Sequence, residues 1–128
     1  MTTSESKRRR YWGFVNAMPA PLLAMIAIMV FMSELTSNTA QVATMVPILA
    51  ALAPVLGLPP AMLLVPATLA ASCAFMMPVG TPPNAIVFGS GYVTIGQMCR
   101  AGWFLNFVGV ALATLAIYTI GLWAFGIR

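Results

Sequence analysis

From Tyr11 to Ile127 the chain is apolar almost throughout, and only Glu34 and Arg100 carry charge within it. Its organisation is therefore set by the places where prolines, glycines and short polar clusters interrupt that pattern. Periodicity of two, the mark of a half-buried strand, is absent, whereas long uninterrupted apolar stretches suit helices. The pattern predicts helices over about 20–33, 40–53, 61–77 and 101–125. Leu56-Gly57-Leu58-Pro59-Pro60 is an ordinary connection, proline closing one helix and opening the next. The interruptions at Glu34–Thr39 and Pro78–Asn84 differ, being polar, helix-breaking stretches with strongly apolar sequence on both sides.

Composition narrows the class. The chain has 128 residues, 61% hydrophobic and 6% charged, with a mean hydropathy of +0.95. A soluble domain needs far more charge to cover its surface, so the chain is expected to be an all-α integral membrane protein with the lipid bilayer as its surroundings. Residues 1–12 form a polar basic tail carrying Lys7-Arg8-Arg9-Arg10, and residues 13–128 form the membrane domain. Basic residues grouped at one end rather than over a folded face argue against nucleic acid as a partner. The 23 uncharged residues from Tyr11 to Ser33 are too many for a signal-peptide core of about 7–15. Without His or Asp, and with Cys73 and Cys99 isolated, neither a conventional metal site nor an enzymatic triad is expected. Trp12, Trp103, Tyr118 and Trp123 read as anchors near segment ends, and the methionines as apolar filling.

Segment lengths bear on the two polar interruptions. A full span needs about 20 residues, and the second segment offers only about 14 before Pro54, with Pro47 already inside it. It reads as a half-span, so Glu34–Thr39 becomes the tip of a re-entrant hairpin over about 20–53. Ser37-Asn38-Thr39 has two readings at that place. It is either a plain helix cap, or a cluster of hydroxyls and an amide at a helix N-terminus facing an anion. In the second reading the carbonyls around Ser33 to Thr36 offer a bare cation such as sodium its ligands. Met77-Pro78-Val79-Gly80-Thr81-Pro82-Pro83-Asn84 likewise reads either as an extramembrane turn or as the break in one discontinuous helix over about 61–90.

At this point the sequence becomes recognisable. Glu34-Leu-Thr-Ser-Asn-Thr-Ala40, Pro47-Ile-Leu, Ala71-Ser-Cys-Ala-Phe75 and Pro78-Val-Gly-Thr-Pro-Pro-Asn-Ala-Ile-Val-Phe-Gly-Ser-Gly91 closely resemble the divalent anion/sodium symporter family. These are sodium-coupled carriers of di- and tricarboxylates and sulfate, and the ordered match covers about residues 20–125. The resemblance implies substrate contacts at Ser37, Asn38, Thr39, Thr81 and Pro82. It implies a sodium site, mostly of carbonyls, around Ser33, Thr36, Asn38 and Gly80, the last standing where relatives often have Ala. Glu34 and Asn84 would support the tip, with sodium as the coupling ion and no other cofactor.

Those carriers contain two inverted repeats, and Ser-Asn-Thr occurs here once, so the chain resembles the carboxyl-terminal repeat: a re-entrant hairpin, a broken helix and a final transmembrane helix. The expected function is sodium-coupled transport of di- or tricarboxylates or other divalent anions across the cell (inner) membrane, as a half or fragment of the full carrier: a truncated product, a fragment of a split gene, or a half that pairs with a second chain. The alternatives are a non-transporting remnant or an accessory membrane subunit. A small four-helix exporter built around a glutamate would explain the length and Glu34 but neither Ser37-Asn38-Thr39 nor the break. The resemblance puts Arg100 inside the cell and Arg128 outside, whereas four ordinary spans with Lys7–Arg10 inside would put Arg100 outside.

Overall fold

The computed structural model describes residues 5, 6, 9, 12, 13, 16 and 19–124. Most of the expected basic tail, the expected helix end at Phe125, and Arg128 lie outside the described residues. Among those described, every regular element is helical. The order is α1 (Pro19–Ser33), α2 (Asn38–Val55), α3 (Ala61–Ala71), α4 (Pro82–Gly89) and α5 (Ile95–Ala116). A π-helical turn, Ile117–Gly121, and the short segment Leu122–Ala124 continue α5.

α1 turns Leu22, Ile26, Met29, Val30 and Ser33 inward, a helical stripe that packs against α3 and α5. α3 answers with Leu63, Pro66, Ala67, Ala70 and Ala71, small side chains that let helices approach closely. α2 packs mainly on α3 and touches α1 little, so α3 lies between the two arms of the hairpin. α5 contributes Met98, Gly102, Asn106, Val110 and Ala113 at helical spacing. The outward faces stay apolar, with Leu23, Ile28, Ile48, Val55, Leu112, Leu115 and Ile120 all exposed, which suits lipid or protein rather than water.

The connection after α2 follows from its sequence. Gly57 takes φ +70°, a backbone region open to glycine, while Leu58 N–H bonds Ala53 O at 2.9 Å and Gly57 N–H bonds Pro54 O at 3.0 Å. This double closure satisfies carbonyls left free at the helix end. Leu58 is buried behind it, and Pro59-Pro60 open α3.

Three expectations are corrected. α2 runs for 18 residues through both Pro47 and Pro54, about 27 Å at 1.5 Å per residue, and with Ile95–Ile120 it is long and apolar enough to cross a membrane. Its length therefore no longer argues for a half-span. The third segment ends at Ala71 rather than Met77, and the interruption runs from Ser72 to Thr81, with Pro82-Pro83-Asn84 opening α4 because proline is accommodated in a first turn. α5 starts at Ile95, six residues before the expected 101, since Thr94 and Gln97 form a reciprocal capping box. Trp103 consequently lies inside α5 rather than at a segment end, with its ring 5.5 Å from Phe31 and 5.1 Å from Phe107.

Candidate functional site

α1 ends and α2 begins within a few residues, leaving a polar tip between two apolar arms. Glu34, Leu35 and Thr36 donate their N–H groups back to Phe31 and Met32 carbonyls, winding the last turn of α1 closed. Thr36 Oγ1 adds a hydrogen bond to Met32 O at 2.9 Å. Outside the helices, no hydrogen bond among the described residues uses the carbonyls of Ser33, Glu34, Leu35 or Thr36.

Ser37 is the N-cap of α2 by its extended backbone, φ −63° and ψ 129°, yet its side chain makes no capping hydrogen bond. The first turn of α2 thus keeps free N–H groups beside the hydroxyls of Ser37 and Thr39, both exposed. That is the arrangement in which a helix N-terminus receives an anion. Asn38 is half-buried, and its Oδ1 is shut off from solvent with no hydrogen-bond partner. A buried amide oxygen without a donor is costly, which makes it a natural ligand for a cation or an acceptor for a bound group.

The break runs between α3 and α4. Glu34, 4% exposed, reaches across to it: Oε1 accepts from Phe75 N–H at 2.8 Å and Met76 N–H at 3.1 Å. Oε2 accepts from Met76 and Met77 N–H, each at 3.0 Å. Three consecutive donors that would have continued α3 are taken by this carboxylate instead, and Pro78 supplies none, so the helix stops early. Assigned from the sequence to supporting the tip, Glu34 makes its bonds to the break. Asn84 closes the break from the other side, donating Nδ2 to Ala74 O at 2.9 Å and Met77 O at 3.1 Å. Thr81 caps α4 by accepting from Asn84 N–H at 3.4 Å.

The tip and the break meet at a few points. Ser33 Oγ donates to Val30 O at 2.6 Å and lies 3.2 Å from Cys73 O. A Cβ added to Gly80 would sit 3.3 Å from Glu34 Oε2 and 3.1 Å from Ala74 Cβ, so the glycine backbone lies directly against the carboxylate. Ser33, Glu34 and Gly80 are therefore brought together, and Thr36 and Asn38 stand on the same tip. No hydrogen bond among the described residues joins Ser37, Asn38 or Thr39 to Thr81 or Pro82, and Pro82 is exposed.

Sequence reasoning missed three residues. Asn106, fully buried in α5, donates Nδ2 to Glu34 Oε1 at 2.8 Å, while its own Oδ1 has no partner. Gln41, 4% exposed, donates Nε2 to Met29 O at 2.8 Å and pins the start of α2 to α1. Gly102 lets α5 touch the break: a Cβ there would meet Met76 Cα and Phe75 O at 2.5 Å. For Gln41 and Asn106 the available signal was a polar side chain inside an apolar helix, which is rare without a role.

Comparison with known proteins bears on what this arrangement does. The family described as the sodium:sulfate symporter transmembrane region matches residues 9–127. A sodium-dependent dicarboxylate transporter SdcS from Staphylococcus saprophyticus subsp. saprophyticus is 43% identical over 102 residues, covering 77% of this chain and 20% of the relative. Its namesake from Staphylococcus aureus (strain MRSA252) is 48% identical over 88 residues, covering 69% and 17% respectively. The chain thus spans about a fifth of the length of the curated relatives it matches.

Proposed function

Because this chain belongs to the sodium:sulfate symporter transmembrane family, we propose that it takes part in sodium-coupled transport of a small divalent anion, a dicarboxylate or sulfate, through the membrane. The chain is not an enzyme; its polar groups are arranged to bind and release. The observation that carries the reading is Asn38, whose buried and unpartnered Oδ1 stands at the free N-terminus of α2 beside unused carbonyls.

Sodium is a transported ion in this reading, and the donor set suits it. Hard oxygen ligands are offered by Asn38 Oδ1 and the carbonyls of Ser33, Thr36 and Gly80, and Gly80 lies directly against the carboxylate of Glu34. Glu34 itself is occupied by N–H donors, so it offers counter-charge rather than a ligand. The anion's carboxylate or sulfate oxygens take the α2 N–H groups, the Ser37 and Thr39 hydroxyls and the Asn38 amide, with Thr81 and Pro82 at the break facing the same substrate. Bound sodium adds positive charge next to the anion, which couples the two affinities.

In this reading the tip lies within the membrane as a re-entrant hairpin, a depth at which polar backbone is tolerated where it lines a ligand site. One Ser-Asn-Thr tip and one break supply one of the two such units that a carrier of this kind uses.

The test is a chimaera in which these residues replace the matching segment of the S. saprophyticus transporter, reconstituted in vesicles. Inward sodium gradients should drive succinate uptake, and Asn38→Ala should abolish it. Uptake by Asn38→Ala at the unsubstituted rate, or uptake indifferent to sodium, would overturn the assignment.

A further inference from the structure

Asn106 is fully buried in the middle of α5, and its position is fixed by its neighbours. One turn earlier, Gly102 brings the α5 backbone against Phe75 and Met76 with no room for a side chain. Three residues after Asn106, Gly109 lies against Cys73, where an added Cβ would be 3.3 Å from the sulfur. α5 thus grips the break on both sides of Asn106, and Asn106 Nδ2 reaches Glu34 Oε1 at 2.8 Å. A carboxylate on a flexible side chain gains from such a further anchor to keep both oxygens aimed at the Phe75, Met76 and Met77 N–H groups.

On the carrier reading above, we propose that Asn106 is a positioning residue which, through Glu34, holds the break in the shape that binds sodium and so couples the last helix to the cation site. Asn106 touches neither the ion nor the anion. It raises the fraction of molecules in which Ser33, Asn38 and Gly80 stand ready, and apparent affinity scales with that fraction.

The experiment uses the full chain in lipid nanodiscs, followed by amide hydrogen exchange during titration with sodium chloride against potassium chloride. In the unsubstituted chain, sodium should protect segments 33–40 and 72–81. Asn106→Leu, close in size but without a donor, should raise the sodium midpoint about tenfold, the effect of losing one hydrogen bond to a charged group. It should also speed exchange at residues 75–77 without sodium, leaving 45–55 unchanged. Asn106→Ala also removes the donor without adding charge, so it should shift the midpoint in the same direction and serves if the leucine variant does not fold.

An unchanged midpoint in Asn106→Leu, an Asn106→Ala chain that behaves as unsubstituted, or faster exchange spread evenly over all helices would overturn the proposal. A chain indifferent to sodium from the outset would overturn the carrier reading and the sodium part of this one. Exchange at 75–77 would then still decide whether Asn106 positions the break.

Discussion

Asn106 and Glu34 are 72 positions apart in sequence, and a 2.8 Å hydrogen bond joins the amide of one to the carboxylate of the other. Together with the N–H groups of Phe75, Met76 and Met77, that amide surrounds a buried carboxylate with donors, and no cation among the described residues pairs with it. The charge is stabilised by aligned dipoles instead. This choice has a structural consequence, because donors spent on Glu34 are withdrawn from α3 and leave the chain non-helical beside the tip.

Removing the carboxylate should accordingly damage the break before anything else. Glu34→Ala strands three backbone N–H groups in apolar surroundings and should lower stability by about 3 kcal/mol or more, while Glu34→Gln, which keeps one acceptor oxygen but sets an NH2 against the donors, should cost about 2 kcal/mol. Thermal unfolding of the purified variants in detergent checks the order. Equal midpoints for the two variants and the unsubstituted chain would mean that the amides find other acceptors.

The close approach of α5 gives a steric prediction with its own control. Gly102→Ala forces a Cβ within 2.5 Å of backbone atoms of Phe75 and Met76, and backbone cannot swing aside as a side chain can. The cost should be about 1–3 kcal/mol. Gly96→Ala, on the same helix with nothing within 4 Å of the new atom, should be neutral or stabilising by up to about 1 kcal/mol. A Gly102→Ala chain as stable as Gly96→Ala would mean that α5 and the break are not packed this closely.

How far these contacts were legible in the sequence depended on their range. Gly57 and Pro59-Pro60 carry local turn chemistry, and the connection between α2 and α3 is where they put it. The Thr94-x-x-Gln97 capping box was equally local, but the apolar residues after Arg100 outweighed it in the reading of where α5 starts. The early end of α3 could not be read locally, since nothing in Ser72-Cys-Ala-Phe-Met-Met77 disfavours helix. It is imposed from Glu34, about forty positions away. Ser37-Asn38-Thr39 stood out by polarity alone, whereas Gln41 and Asn106 went unnoticed among apolar neighbours although burial makes them equally costly.

Gln41 offers a test of how the tip is held. Its Nε2 bonds Met29 O at 2.8 Å and its Oε1 lies 3.3 Å from Thr36 Oγ1, so one side chain ties α1, the tip and α2 together. Gln41→Leu preserves bulk and removes both links. Global stability should fall by only about 1 kcal/mol, the usual net value of a hydrogen bond, while amide exchange at Leu35 and Thr36 should accelerate about tenfold through local opening. Exchange that stays slow at those two amides would show that the closed last turn of α1 holds the tip unaided.

Membrane topology is the remaining test, and the charge of Arg100 sharpens it. If α1 and α2 enter and leave from the outer face as a hairpin, the discontinuous α3–α4 segment crosses inward, and Arg100, exposed near the start of α5, lies on the cytoplasmic side. That placement agrees with the excess of basic residues found on the inner side of membranes. If α2, long enough to span, crosses as an ordinary helix, the count of crossings changes and Arg100 faces outward. An Arg100→Cys variant in a background carrying Cys73→Ser and Cys99→Ser separates the two. The expected result is no reaction with a membrane-impermeant thiol reagent added to intact cells and full reaction after permeabilisation. Labelling from outside intact cells would place α2 across the bilayer, remove the tip from the membrane interior and leave Asn38 without the enclosed setting that its role in sodium binding requires.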